Sequence, residues 1–104
     1  MDDPLDRLEA AIHARRGADP ASSYTASLFA KGRAKIAQKV GEEATETVIA
    51  ALAAPDTLAA EAADLVFHLL VLLADADLTL ADIRAELTRR EGVSGLEEKA
   101  GRLG

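Results

Sequence analysis

The segment KIAQKVGEEATETVIAAL, Lys35 to Leu52, puts three carboxylates, Glu42, Glu43 and Glu46, beside two ammonium groups, Lys35 and Lys39. On a helical wheel at about 100° per residue, Val40 and Ala44 follow Ile36 to one side as an apolar stripe. To the other side of Ile36 come Glu43, Lys39, Glu46, Lys35 and Glu42 in that order, within an arc of roughly 100°. The charged groups therefore lie beside the apolar stripe rather than opposite it. Glu42 and Glu46 stand four apart, where like charges destabilise a helix by a few tenths of a kcal/mol. Either the lysines neutralise this row, or a cation sits among the carboxylates.

A second acidic group follows in EAADLVFHLLVLL, where Glu61, Asp64 and His68 share one helical face. Asp64 heads a nearly unbroken apolar run, and an unpaired charge there is costly. Carboxylates from the first helix, bridged by a metal, would supply its partner. Ligation by oxygen alone selects Mg²⁺ or Mn²⁺ over Zn²⁺, so Glu43, Glu46, Glu61 and Asp64 are the expected metal ligands. His68 either joins that site or packs in the apolar run, bonded to the Asp64 carboxylate one turn back. Gly41 costs a helix interior about 1 kcal/mol against Ala, and either close helix packing or approach of a ligand to the backbone accounts for it.

The elements that must position these groups are helices. Ala and Leu, 23 and 15 of the 104 residues, outnumber the β-branched residues, and no alternating strand pattern extends beyond a few positions. Asp3-Pro4 opens a first helix ending near Arg16-Gly17, and GADPASS (17–23) reads as a loop. Ser27–Lys31 is a short helical turn. A long helix runs from near Gly32 to Ala54, stopped by Pro55, with Ile36, Val40, Ala44, Val48, Ala51 and Leu52 as its apolar face. Asp56 or Thr57 caps a third helix reaching Ala74. Thr79-x-x-Asp82 is a capping-box pattern opening a fourth helix to about Glu91, with Gly92 as its left-handed terminator. Ser94-x-x-Glu97 opens a short tail helix. The expectation is a single all-α domain, 1–104, of four main helices and a tail helix.

Leu, Ile, Val and Phe together make up only a quarter of the chain. That is a lean supply of large core groups, so a second subunit is expected to cover some apolar surface. Ile49, Leu69 and Leu73 are candidates for that seam, in a homodimer. Absence of cysteine excludes disulfides and thiolate sites. The acidic start lacks a signal-peptide pattern, and the apolar run Ala62–Ala74 is too short for a membrane span of roughly 20 residues. The expected location is the cytoplasm. A net charge of −6 and a pI near 4.8 argue against a nucleic-acid polymer as partner. A small anion remains compatible, because Lys31, Arg33, Lys35 and Lys39 form a basic run with no acid among them.

Glu42-Glu43-x-x-Glu46 followed by Glu61-x-x-Asp64 resembles the EExxE…ExxD signature of the all-α nucleoside triphosphate pyrophosphohydrolases. Within that superfamily the chain is most similar to the phosphoribosyl-ATP pyrophosphatases of histidine biosynthesis. The likeness is carried by Ser23-Tyr24-Thr25, Gly32, KVGEEATE (39–46), EAADLVFHLLVLL (61–73) and LTRREGVSG (87–95). It spans nearly the whole chain.

The resemblance implies Mg²⁺-dependent hydrolysis of phosphoribosyl-ATP to phosphoribosyl-AMP and pyrophosphate, in a helical bundle completed by dimerisation. It also implies a separate cyclohydrolase for the next step. Metal held by Glu43, Glu46, Glu61 and Asp64 would neutralise phosphate charge, with Glu42 as a further ligand or the general base. Lys31, Arg33, Lys35 and Lys39 then become phosphate partners, or else a solvated basic turn. Ser23, Tyr24 and Thr25, otherwise a helix cap and a packed ring, become candidates for phosphate or ribose contact. Arg89 and Arg90 complement the dipole of their own helix, and the resemblance adds a substrate-phosphate role for Arg89 with Ser94. A housekeeping pyrophosphohydrolase acting on ordinary nucleotides is the neighbouring alternative. A non-catalytic helical dimerisation module with a solvated acidic face is the alternative from another class.

Overall fold

Asp3, ahead of Pro4, accepts a hydrogen bond from the Asp6 N–H at 3.0 Å, and the chain turns from there into α1 (Pro4–Ala14). In the computed structural model, which describes residues 3–93 together with Gly95 and Gly101, four further α-helices follow. They are α2 (Tyr24–Lys31), α3 (Arg33–Ala53), α4 (Leu58–Asp75) and α5 (Leu80–Arg90), with a 3₁₀ turn, Pro55–Thr57, between α3 and α4. No strand occurs among the described residues, as the all-α expectation requires. Ser94 and Glu97, on which the tail-helix expectation rested, lie outside the described residues.

Two local expectations need correction. The segment before Lys31 is a full helix: Ser23, extended at φ −152°, caps it through the Ala26 N–H at 3.2 Å, so α2 starts at Tyr24 and not at Ser27. Thr57 stands at the N-cap of α4 as expected, but its side chain makes no cap bond there. The Thr57 hydroxyl turns back to the Ala54 carbonyl at 2.8 Å and stabilises the 3₁₀ turn instead. The Thr79–Asp82 capping box is present, and Gly92 is left-handed at φ 80° as expected. Gly32, at φ 94°, separates α2 from α3 at a backbone angle that L side chains rarely adopt.

Helices α3 and α4 form an antiparallel pair. Arg33 bonds Asp75 at one end, while Thr47 reaches the Glu61 carbonyl further along, so advancing on α3 means retreating on α4. The core lies at the Arg33–Asp75 end. Ile12 of α1, Leu28 of α2, Ile36 of α3, and Leu70, Val71 and Ala74 of α4 meet there. Full burial of each large apolar side chain in this cluster contributes about 1.5–3 kcal/mol. Helix α5 has no fully buried residue; Leu80 packs partly against the core, and polar contacts tie the helix down further. Its first N–H, on Leu80, donates to Glu9 at 2.7 Å, and Arg84 pairs with Asp6 at 2.9 Å.

The apolar face expected for α3 divides. Ile36 enters the core, but the inward positions further along are Glu43 and Ala50. Val48, Ala51 and Leu52 are exposed, Leu52 by 84%. The reason is that α4 packs against the Ile36–Glu43–Ala50 side of α3, while α1 and α2 cover only the opposite end of the pair. The segment Pro55–Asp75 is long and apolar enough to cross a bilayer by length and hydropathy alone. Here it is the helix on which α1, α2 and α3 all pack, with Glu61 and His68 turned toward the α3 side.

Candidate metal and phosphate site

Midway along the α3–α4 pair, Glu43 and Glu46 of α3 meet Glu61 of α4. One carboxylate oxygen from each lies within 4.8 Å of the other two. Glu43 is only 8% exposed, Glu61 is half-buried and Glu46 faces solvent. Helical spacing alone puts Glu43 and Glu46 on one side of α3, and the antiparallel register then brings Glu61 opposite them. Thr47 secures that register: its hydroxyl donates to the Glu43 carbonyl at 2.8 Å and shares the hydrogen with the Glu61 carbonyl at 3.3 Å.

The electrostatics of the cluster call for a cation. Burial, and then the neighbouring Glu46, raise the Glu43 carboxyl above its ordinary value, with Asp64 adding to the effect and His68 opposing it. Glu61 is raised by burial, Glu46 and Asp64. Glu43 Oε2 is buried without any hydrogen-bond partner. A buried carboxylate oxygen left unpaired is costly, and a divalent cation among three hard oxygen donors removes that cost. The residues present therefore fit Mg²⁺ or Mn²⁺.

Asp64 stands differently from the expectation. Its side chain is exposed, not caught in the apolar run, and it lies outside the close trio while still acting on Glu43 and Glu61 through its charge. His68 is buried at 5% exposure. Its Nδ1 donates to the backbone carbonyl of Asp64 at 2.8 Å, not to the carboxylate. The carbonyl four residues back lies under the ring in a helix, whereas the carboxylate extends to water.

Glu42 points away from the trio. It accepts from the Gln38 amide at 2.9 Å and from Lys39 Nζ at 3.4 Å, contacts that hold its carboxyl below the ordinary value. Lys39 is held above its ordinary value by the neighbouring Tyr24 phenol oxygen, by Glu42 and by Glu43, so it stands at the edge of the acidic site. Lys35 is exposed and acts on Glu42 through its charge.

Several of the other expected contacts are engaged elsewhere. Arg33 donates to Asp75 Oδ2 and to the Asp75 carbonyl, both at 2.9 Å, and so joins the far ends of α3 and α4. It sits ten residues from Glu43, roughly 15 Å along the helix axis. Lys31 is exposed in the last turn of α2. Arg89 and Arg90 grip Glu86, whose carboxyl is lowered to about 2. Ser23 is occupied as the cap of α2, and Thr25 is half-buried in its first turn. Tyr24 Oη lies 3.0 Å from His68 Nε2. Ser94 lies outside the described residues.

A family model described as phosphoribosyl-ATP pyrophosphohydrolase matches residues 5–91. The chain belongs to the phosphoribosyl-ATP pyrophosphohydrolase family. Over 103 residues it is 63% identical to the phosphoribosyl-ATP pyrophosphatase of Rhizorhabdus wittichii, covering 98% of this chain and 97% of that protein. It is 65% identical over 99 residues to the protein of the same name from Erythrobacter litoralis, covering 94% and 95% of the two chains. For that of Cereibacter sphaeroides the identity is 58% over 99 residues, covering 94% and 96%.

In this member of the phosphoribosyl-ATP pyrophosphohydrolase family, three features lie outside the sequence-based expectations. Thr47 follows Glu46 and falls almost in line with Ile36 on the α3 wheel, toward α4, so its position is a signal that helical spacing carries. The Tyr24–His68 pair joins residues far apart in sequence, and no local pattern announces it. A cleft of about 220 Å³ adjoins the trio, lined by Glu46, Ile49, Ala50, Ala54, Thr57 and Glu61. It forms where α3, the 3₁₀ turn and α4 converge.

Proposed function

We propose that this chain hydrolyses phosphoribosyl-ATP to phosphoribosyl-AMP and pyrophosphate in histidine biosynthesis, with Mg²⁺ as cofactor. The observation that carries the reading is the Glu43–Glu46–Glu61 trio with its unpaired buried oxygen, in a chain of this family. Glu43, Glu46 and Glu61 would hold the cation, with Asp64 one turn further along α4. Bound there, the cation supplies positive charge to the triphosphate and its leaving pyrophosphate.

The chain's own residues do the rest. Glu42, kept ionised by Gln38 and Lys39, accepts the proton of the attacking water only after its side chain swings from those two partners toward the trio. Lys39, with the exposed Lys35 behind it, attracts the phosphate oxygens that the cation leaves uncovered.

The active form is a homodimer in the cytoplasm. Val48, Ile49 and Leu52 are exposed by 58%, 57% and 84%, and Ile49 also lines the cleft beside the trio. A second copy laid over this face would bury the apolar residues and close the cleft. Of the other seam candidates, Leu69 is exposed on α4, while Leu73 already packs against its own core.

The test is pyrophosphate release from phosphoribosyl-ATP with Mg²⁺ and with EDTA, beside ATP and a panel of deoxynucleoside triphosphates. Metal-dependent turnover of phosphoribosyl-ATP alone is expected. Turnover of the panel instead would make the chain a housekeeping pyrophosphohydrolase. No turnover of any substrate by folded protein would point to a helical dimerisation module.

A further inference from the structure

Thr47 touches the backbones of both helices that carry the acidic trio. Its hydroxyl lies 2.8 Å from the Glu43 carbonyl oxygen on its own helix and 3.3 Å from the Glu61 carbonyl oxygen on α4. Carbonyls only accept, so the one hydroxyl hydrogen is donated to both, more strongly to the nearer. Those carbonyls belong to two members of the trio. A single hydrogen thus ties the peptide of Glu43 to the peptide of Glu61.

The strut is short and stiff. A threonine bonded back to the carbonyl four residues earlier is held in one rotamer. Among the described residues, the other side chain of α3 that bonds the backbone of α4 is Arg33, through the Asp75 carbonyl. Arg33 stands fourteen residues away, about 21 Å along the axis, and its long side chain can follow a slide of one helix past the other. Thr47 cannot. A slide of one residue moves α3 by about 1.5 Å, which takes the hydroxyl out of reach of the Glu61 carbonyl.

The trio needs such a strut. One oxygen of each carboxylate lies within 4.8 Å of the other two, and like charges at that distance push α3 and α4 apart. Glu43 and Glu46 share a helix and keep their spacing. The separation that can open is the one to Glu61, across the seam where Thr47 bonds.

We infer that Thr47 is a positioning residue for the metal site, holding Glu43 and Glu46 in register with Glu61 so that a cation meets a preformed set of oxygens. The inference rests on the metal site proposed above. It gives the role to the hydroxyl and not to the bulk of the side chain, because only the hydroxyl can bond the Glu61 carbonyl.

The test is Thr47→Val, which keeps the shape and removes the hydroxyl. Both carbonyls keep their N–H partners within their own helices, so the melting temperature in EDTA should stay close to that of the wild type. Affinity for Mn²⁺ alone, measured by calorimetry, should weaken about threefold to tenfold, the worth of one neutral hydrogen bond. The metal concentration giving half-maximal turnover of phosphoribosyl-ATP should rise by the same factor, with kcat at saturating metal unchanged. Thr47→Ser keeps the hydroxyl and should restore the affinity. If Thr47→Val does not fold, Thr47→Ala carries the same comparison.

A lower melting temperature in EDTA with unchanged Mn²⁺ affinity would make Thr47 merely structural and overturns the inference. So does a Thr47→Ser variant that binds Mn²⁺ as weakly as Thr47→Val. If the wild type itself binds no Mn²⁺, the metal site fails and the role of Thr47 falls with it. Wild-type binding together with either overturning result leaves the metal site intact and removes only the role given to Thr47.

Discussion

Glu43 and Glu61 face each other across the α3–α4 seam, each offering a carboxylate oxygen within 4.8 Å of the other. Both carboxyls are raised by burial and by neighbouring acids, and one oxygen of Glu43 has no partner. Such a pair is unfavourable alone and favourable around a cation. Glu43→Gln and Glu61→Gln should each lower kcat/KM with Mg²⁺ by about 100-fold or more. Each should also weaken Mg²⁺ or Mn²⁺ binding measured by calorimetry. Unchanged metal binding in both variants would remove the metal site.

The same relationship sets a pH dependence. A carboxyl raised in the folded state binds its proton more tightly there than in the unfolded chain. Without metal, the contribution of Glu43 and Glu61 thus becomes more favourable as pH falls from neutrality toward the ordinary glutamate range. Asp6, Glu42 and Glu86 are lowered and act with the opposite sign, losing stabilisation as the pH falls further. In EDTA, Glu43→Gln should melt at a higher temperature than the wild type near neutrality, with the gap closing as the solution is acidified. Excess Mg²⁺ should reverse the order. Thermal scans over that range, with and without metal, measure both effects.

Lys39 and Arg33 belong to one basic run but have different surroundings. Lys39→Ala should raise KM for phosphoribosyl-ATP about tenfold, through loss of a charged phosphate partner. Arg33→Ala should leave KM unchanged and cost about 1–3 kcal/mol of stability, because it removes two hydrogen bonds and leaves the Asp75 carboxylate, only 19% exposed, without this partner. Steady-state kinetics and denaturant titration on the two variants separate these outcomes. A rise in KM for Arg33→Ala would return that residue to the substrate site.

Leu52 is 84% exposed in the isolated protomer, so a charge there costs the protomer little. In a dimer that uses this face of α3 the same charge would be buried without a partner. Leu52→Glu should therefore sediment as a monomer at micromolar concentration where the wild type sediments as a dimer. Its secondary structure by circular dichroism should be retained. A wild-type monomer, or a Leu52→Glu dimer, would move the subunit contact elsewhere.

Local sequence was enough for most helix ends, though not for the start of α2, because caps and breakers act over three or four residues. Asp3-Pro4, Thr79-x-x-Asp82, Pro55 and Gly92 end or begin helices where chain chemistry alone requires it. Helical spacing likewise placed Glu43 and Glu46 on one face, with Glu61 as their counterpart. What the spacing could not supply was the rotation of α3 against α4. That rotation buried Glu43 and Ala50, left Val48 and Leu52 exposed, and turned Asp64 to solvent. The side of α3 that faces α4 depends on the summed packing of both helices and on the cover from α1 and α2, not on any one residue's hydrophobicity. Partnerships between distant residues were also beyond local reading. Tyr24 with His68, and Arg33 with Asp75, exist because packing brings their elements together. Residue types and spacing thus determined the helices and the acidic chemistry. The tertiary structure alone decided which carboxylates lose their water and which phenol meets which imidazole, since desolvation and hydrogen-bond direction are properties of the packed chain.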